Sequence, residues 1–227
     1  TITSTISPSR FCKLTPSSKT KCDLFNSDYS DQNYKYYDYY AELDIGEIVG
    51  QKKVNQWRQQ LIDNNVFDKC VTVYHPRCCT WKDYLEMLKQ TQSGYVALEG
   101  DRKGRTRLNY NKYLKPAYKQ GIKVHGFAMT KIEVLKNYPF YSVDSASWLQ
   151  PQMYGTIPYF DKGKLTCLSY NKEKHFLKKP KNMNLDILRG EDKKVTRIYT
   201  MQLAIKAYKE MQDYYTNLWN KRGILWH

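Results

Sequence analysis

The sequence predicts an α/β protein of the (β/α)8-barrel, TIM-barrel-like type, incomplete at its N-terminal end and followed by a C-terminal hairpin and long helix. Short apolar runs of strand length alternate with amphipathic helical stretches, which is the signature of repeated βαβ units and a parallel sheet. The strand starts fall about 20 to 30 residues apart, the spacing of a strand plus its crossover helix. This pattern suits either a doubly wound sheet or a barrel. No G-x-G-x-x-G or G-x-x-x-x-G-K-[ST] follows any run, so the nucleotide-binding open sheets lose their main support and the barrel is favoured.

Residues 1–33 are rich in Ser, Thr, Asp and Asn and show neither strand nor helix period, which predicts an irregular lead-in. Residues 34–227 then form a single domain, with a basic C-terminal part over 155–227. The expected strands are YYAELDIG, CVTVYH, GYVALEG, KVHGFAM and FYSVDS, each bounded by Gly, Pro, Asn or Ser. Between them, QKKVNQWRQQLIDNN puts Val54, Trp57, Leu61 and Ile62 at helical spacing. TWKDYLEMLKQT starts on a Thr cap and aligns Trp81, Tyr84, Leu85 and Leu88. A shorter helix runs from Lys112 to Gln120 and closes at Gly121, and Thr130 is the expected cap of KIEVLKNY before Pro139. Beyond Trp148, GTIPYF and KLTCLSY flank Asp-Lys-Gly as a hairpin. A basic loop, KEKHFLKKPK, precedes a helix from about Val195 to Lys221, whose expected apolar face is Ile198, Met201, Ile205, Tyr208, Met211, Tyr215 and Leu218.

The net charge is +15, from 37 Lys and Arg against 22 Asp and Glu. The two signs balance at 12 each over residues 1–100, so the 25 basic and 10 acidic residues beyond supply the whole surplus. Such a field suits a polyanion, nucleic acid before an anionic membrane. The 21 tyrosines offer stacking faces for bases, although they are equally good strand and helix-face material. Six cysteines without a C-x-x-C pair predict no disulfide framework and a reducing, cytoplasmic setting. His75, Cys78 and Cys79 are the nearest approach to a metal cluster, and adjacent cysteines chelate one tetrahedral ion poorly, so neither metal nor cofactor is expected. No apolar run approaches the roughly 18 residues of a membrane span, and the N-terminal stretch lacks a signal-peptide core; a soluble, unexported chain is the expectation.

The chemistry-bearing pattern lies at the strand ends. They read Asp44 in AELD, His75 in VYH, Glu99 and Gly100 in ALEG, His125 and Gly126 in KVHG, and Asp144 followed by Ser145 in SVDS. In parallel α/β proteins the carboxyl edge of the sheet is where ligands bind. Carboxylates there also serve to cap following helices, but five titratable strand ends in succession favour a site. Two acids facing one cleft divide labour, one as nucleophile or base and the other as acid or hydrogen-bond partner.

YAELD, VALEG, VHGFAMTKIEVL and YPFYSVDSASW resemble the queuine/archaeosine tRNA-guanine transglycosylase superfamily, nearest to its short phage relatives associated with 7-deazaguanine in DNA. The resemblance covers about residues 38–160. It implies a barrel enzyme in which an aspartate attacks the anomeric carbon of a guanosine, releases guanine and holds the sugar covalently until a modified base replaces it. On that basis Asp144 is the nucleophile and Asp44 the acid that reads the incoming base. Gly100 belongs to the glycine turn beside it, and His75, Glu99, His125, Gly126 and Ser145 line the substrate site. Arg102, Lys103 and Arg105, with Lys178, Lys179 and Lys181, are the expected phosphate contacts to DNA or tRNA. The expected partners are thus a nucleic acid and a free guanine-type base, in the cytoplasm, a host's if the chain is phage-encoded. No D-S-G-G-F-type strand precedes Asp44, and the tRNA enzymes' zinc motif has no counterpart. The alternative is a basic nucleic-acid-binding protein with a degenerate barrel site.

Overall fold

The computed structural model describes residues 38–42, 46–77, 79–100, 109–149, 156–169, 183–184, 187–188 and 191–225. Asp44, Cys78, Arg102, Lys103, Arg105, Lys178, Lys179, Lys181 and the 1–33 lead-in lie outside the described residues. The chain divides into two compact units, Thr1–Cys70 and Val71–His227.

In the first unit, strand β1 is short (Tyr40–Ala41), so among its described residues the expected YYAELDIG strand contributes two to a ladder. Helix α1 (Gly46–Val49) is followed by Gly50 at φ 83° and then by α2 (Gln51–Asp63). α2 buries Val54, Trp57 and Leu61, as its spacing predicts. It ends in a Schellman turn: Asn65 takes φ 56°, and the N–H groups of Asn65 and Val66 bond back to Ile62 O and Leu61 O. Leu61, Val66, Phe67 and Cys70 form a small core that Tyr40 joins, its hydroxyl donating to Val66 O at 2.6 Å. Arg58 grips Glu42 through both ends of its guanidinium, at 2.8 and 2.6 Å, with both side chains nearly buried.

The second unit is α/β around a parallel sheet. Strands β2 (Cys70–Tyr74), β3 (Tyr95–Glu99), β4 (Lys123–Phe127) and β5 (Ser142–Val143) lie side by side in sequence order. Helices α3 (Trp81–Gln90), α4 (Asn111–Lys119) and α5 (Ile132–Asn137) connect them. β2 and β3 are buried at every position, which is why they read as continuous apolar runs without alternation. The register sets Val73, Ala97, His125 and Ser142 in one row across the sheet, and Tyr74, Leu98, Gly126 and Val143 in the next. Alternation therefore sends the two rows to opposite faces.

Helices cover the second row's face. Tyr74, Val96, Leu98 and Val124 pack there with Tyr84, Met87 and Leu88 of α3 and Tyr113, Leu114 and Ala117 of α4. Much of the chain's tyrosine goes into this core, where the Tyr84 hydroxyl donates to Tyr113 O at 2.8 Å beneath a cluster of Tyr74, Trp81 and Tyr113 rings. Thr80 caps α3 as expected, in a reciprocal box with Asp83. At α5 the expectation fails, because Lys131 occupies the cap position and the Thr130 side chain makes no cap bond. On the opposite face a separate cluster holds Val71, Val73, Tyr95 and Ala97, with Phe127 and Tyr141 against it.

Beyond the sheet, β6 (Thr156–Asp161) and β7 (Lys164–Ser169) pair antiparallel. Lys162 and Gly163, at φ 44° and 83°, make the two-residue turn that a right-twisted hairpin requires. Helix α6 (Lys193–Lys221) packs along β6 on a face that shares Met211 and Tyr215 with the expected one and otherwise differs from it. Its buried stripe is Thr196, Thr200, Ala204, Ala207, Met211 and Tyr215, while Ile198 and Ile205 are exposed. Small residues allow close backbone approach, and that outweighs the apolar periodicity of the larger ones. Among the described residues the parallel strands are fewer than the eight of a closed barrel, and no helix is long and apolar enough to cross a membrane.

Candidate active site

The row at the carboxyl edge of the sheet continues from Val73, Ala97, His125 and Ser142 to His75, Glu99, Phe127 and Asp144, two residues on and hence on the same face, opposite the one that α3 and α4 cover. Every strand-end side chain singled out in the second unit, His75, Glu99, His125 and Asp144, thus belongs to one face of one sheet.

Asp144 stands one residue beyond β5, and its N–H still continues the ladder to Gly126 O at 3.2 Å. Its carboxylate accepts from the backbone N–H of Ala128 at 2.8 Å, and Oδ1 lies 3.6 Å from Nε2 of His125. Ala128 presents that N–H because it adopts φ 56°, a left-handed conformation that costs an L-residue about 1–2 kcal/mol. Burial raises the Asp144 carboxyl pKa, and the His125 side chain and the Ala128 N–H outweigh it, so the acid titrates below its ordinary value. The side chain nonetheless remains 44% exposed. An ionised, oriented carboxylate open on one side has the attributes of a nucleophile.

His125 is buried, 3% exposed, between Tyr95 and Phe127, both of whose rings meet it edge to face. Its Nδ1 is 2.6 Å from Ser142 Oγ, and Ser142 Oγ is bonded in turn to the Tyr95 hydroxyl. Glu99, 4% exposed, is bridged by His75 Nδ1 at 3.1 Å and by Arg77 Nη2 at 2.5 Å. These partners offset the desolvation that burial imposes on the carboxylate.

The two glycines of the edge make room for the turn that carries the Ala128 N–H. A Cβ at Gly100 would stand 2.7 Å from Phe127 O, and one at Gly126 would stand 2.9 Å from Met129 Sδ. Gly100 N–H also donates to Phe127 O at 3.1 Å. Ser145 is used locally: its hydroxyl accepts from Ser147 N–H at 3.0 Å and pairs with the Ser147 hydroxyl, closing the turn at Ala146–Leu149.

The site also takes in Ser142, which flanks Asp144 in the sequence, and Tyr95, Arg77 and Ala128, which the sequence does not single out. For Ser142 a signal existed, since strand alternation places it with Asp144. No periodicity announces the backbone N–H of Ala128 or the reach of Arg77 from its loop. Among the described residues no cluster of His, Cys, Asp and Glu has the make-up of a metal site.

The comparisons add nothing to this geometry. No family model, no curated protein and no solved structure matches the chain.

Proposed function

We propose that the chain is a base-exchanging glycosyltransferase, replacing guanine in DNA or tRNA with a 7-deazaguanine derivative through a covalent aspartyl-sugar intermediate. The observation that carries the reading is the Asp144 carboxylate: ionised, oriented by the Ala128 N–H, flanked by His125 and half-exposed at the carboxyl edge of a parallel sheet. The resemblance in YAELD, VALEG and SVDS supplies the reaction class, and sequential strand order agrees with a barrel-type rather than a doubly wound sheet.

In this reading an Asp144 oxygen forms a bond to C1′ of the nucleotide as the C1′–N9 bond to guanine breaks, and the departing base takes up a proton. The incoming base then loses its own proton as its nitrogen attacks C1′ and releases the carboxylate. Two substitutions at one carbon through a glycosyl ester restore the original configuration and the enzyme. Asp44 reads the donor edge of the entering base, and Arg102, Lys103, Arg105, Lys178, Lys179 and Lys181 hold phosphates with little sequence preference. The reaction takes place in the cytoplasm.

The test is incubation of the purified chain with guanine-containing DNA and, separately, with tRNA, in the presence of labelled guanine. Label in one polymer supports the reading and identifies the substrate. Salt-sensitive binding with no label in either would favour the second reading, a basic nucleic-acid-binding protein, which the net charge of +15 supports by itself.

A further inference from the structure

We infer that Ser142 fixes His125 in the tautomer that carries its proton on Nε2, so that the buried imidazole N–H faces the Asp144 carboxylate and both side chains act as positioning residues for that acid. The residues come together because β4 and β5 pair in a register that sets Ser142 directly beside His125, with Asp144 two residues further along the same face.

Ser142 Oγ meets two groups, the Tyr95 hydroxyl and His125 Nδ1, the latter at 2.6 Å. A hydroxyl has one proton to give and lone pairs to accept with. Either hydroxyl can supply the proton between Tyr95 and Ser142; with the phenol, the more acidic, assigned as donor, Ser142 donates to Nδ1, which is then bare. The ring proton therefore sits on Nε2. That atom is sealed from solvent, has no hydrogen-bond partner among the described residues and lies 3.6 Å from Asp144 Oδ1.

The opposite tautomer would aim the Nε2 lone pair at a carboxylate, which repels it, and would leave that lone pair buried without a donor. Protonation of both nitrogens would turn Ser142 into a double acceptor and strand its own hydroxyl proton. With that direction the Nε2–H form pairs the Tyr95, Ser142 and His125 protons in turn and directs its polarity toward Asp144. The Nε2–H and the Ala128 N–H then both face Oδ1, which leaves the other oxygen to attack. The tautomer follows from the geometry and that donor direction, whereas its role in orienting a nucleophile rests on the base-exchange reading.

Nitrogen-15 spectra of the full chain labelled in its histidine rings test it, with the His125 signals assigned by their loss in His125→Asn. The expected spectrum at neutral pH has a protonated Nε2 and a bare Nδ1. In Ser142→Ala the signals should move to the averaged positions of mixed tautomers, and Ser142→Thr, which keeps the hydroxyl, should restore the single form. A protonated Nδ1 in the unaltered chain, alone or together with Nε2, would overturn the inference even if no Ser142 variant folds. So would an unchanged tautomer in a folded Ser142→Ala. Base exchange with a protonated Nδ1 would sink this inference alone, and an Nε2–H tautomer in a chain that never exchanges bases would sink the reaction alone.

Discussion

Nε2 of His125 and Oδ1 of Asp144 lie 3.6 Å apart across adjacent parallel strands, the histidine buried and the acid half open to solvent. The asymmetry is what a reactive carboxylate requires. A fully buried acid would be costly to ionise and a fully exposed one would not be oriented, whereas this one is steered from beneath by a sealed imidazole and a backbone N–H.

Acid should weaken the fold through Asp144. Its pKa in the folded chain lies below the unfolded value of about 3.9, so its stabilising contribution is complete above that value. The contribution is lost as pH falls through the folded pKa. Urea midpoints at neutral pH and near pH 3 should therefore fall less between the two conditions in Asp144→Asn than in the unaltered chain. An equal fall in both would contradict the assigned direction.

The two edge glycines should differ in tolerance. Gly100→Ala puts a methyl 2.7 Å from a backbone oxygen, Phe127 O, and should cost about 1–3 kcal/mol by urea unfolding. Gly126→Ala meets mainly the Met129 side chain, which can yield, and should cost less. The opposite ranking would mean that the 127–129 turn gives way more readily than the methionine does.

Helix α6 offers a test of the face it buries in its N-terminal half. Ala204→Leu should destabilise by about 1–3 kcal/mol, because the residue is fully buried. Ile205→Gln, at a position 53% exposed, should stay within about 0.5 kcal/mol. If Ile205→Gln were the costlier change, the apolar stripe read from the sequence would be the packed one.

Cys70 should be the slow thiol of the described cysteines. Burial, with Glu42 nearby, raises its pKa well above the ordinary thiol range, whereas Cys167 is exposed. Alkylation followed by peptide mass mapping should label Cys167 in the folded chain and Cys70 only on unfolding. Prompt labelling of Cys70 would show that the Leu61, Val66 and Phe67 core does not seal it.

Much of this was legible in the sequence, for identifiable reasons. β2, β3 and β4 declare themselves by apolar runs, α2 and α3 by spacing and, for α3, a Thr80 cap, and the hairpin by Asp-Lys-Gly. The strand-end rule brought His75, Glu99, His125 and Asp144 to one face because parallel register and period-two alternation leave little freedom. The C-terminal half of the α6 face, with Met211 and Tyr215, follows the apolar spacing; its N-terminal half does not, because the residues buried there, Thr196, Thr200 and Ala204, are small and carry almost no hydrophobic signal. The Ala128 donor was invisible for a different reason. It is a backbone group turned by a positive φ at a residue whose identity gives no hint of it.

Base exchange by this chain requires that Asp144 carry the sugar. Intact-mass analysis of the chain after rapid acid quenching with a short guanine-containing oligonucleotide tests it most directly, run beside Asp144→Ala. A covalent adduct with the mass of the sugar-bearing strand less guanine is expected in the unaltered chain, and none in Asp144→Ala despite nearly unchanged affinity for the oligonucleotide. An adduct that persists in Asp144→Ala would contradict it.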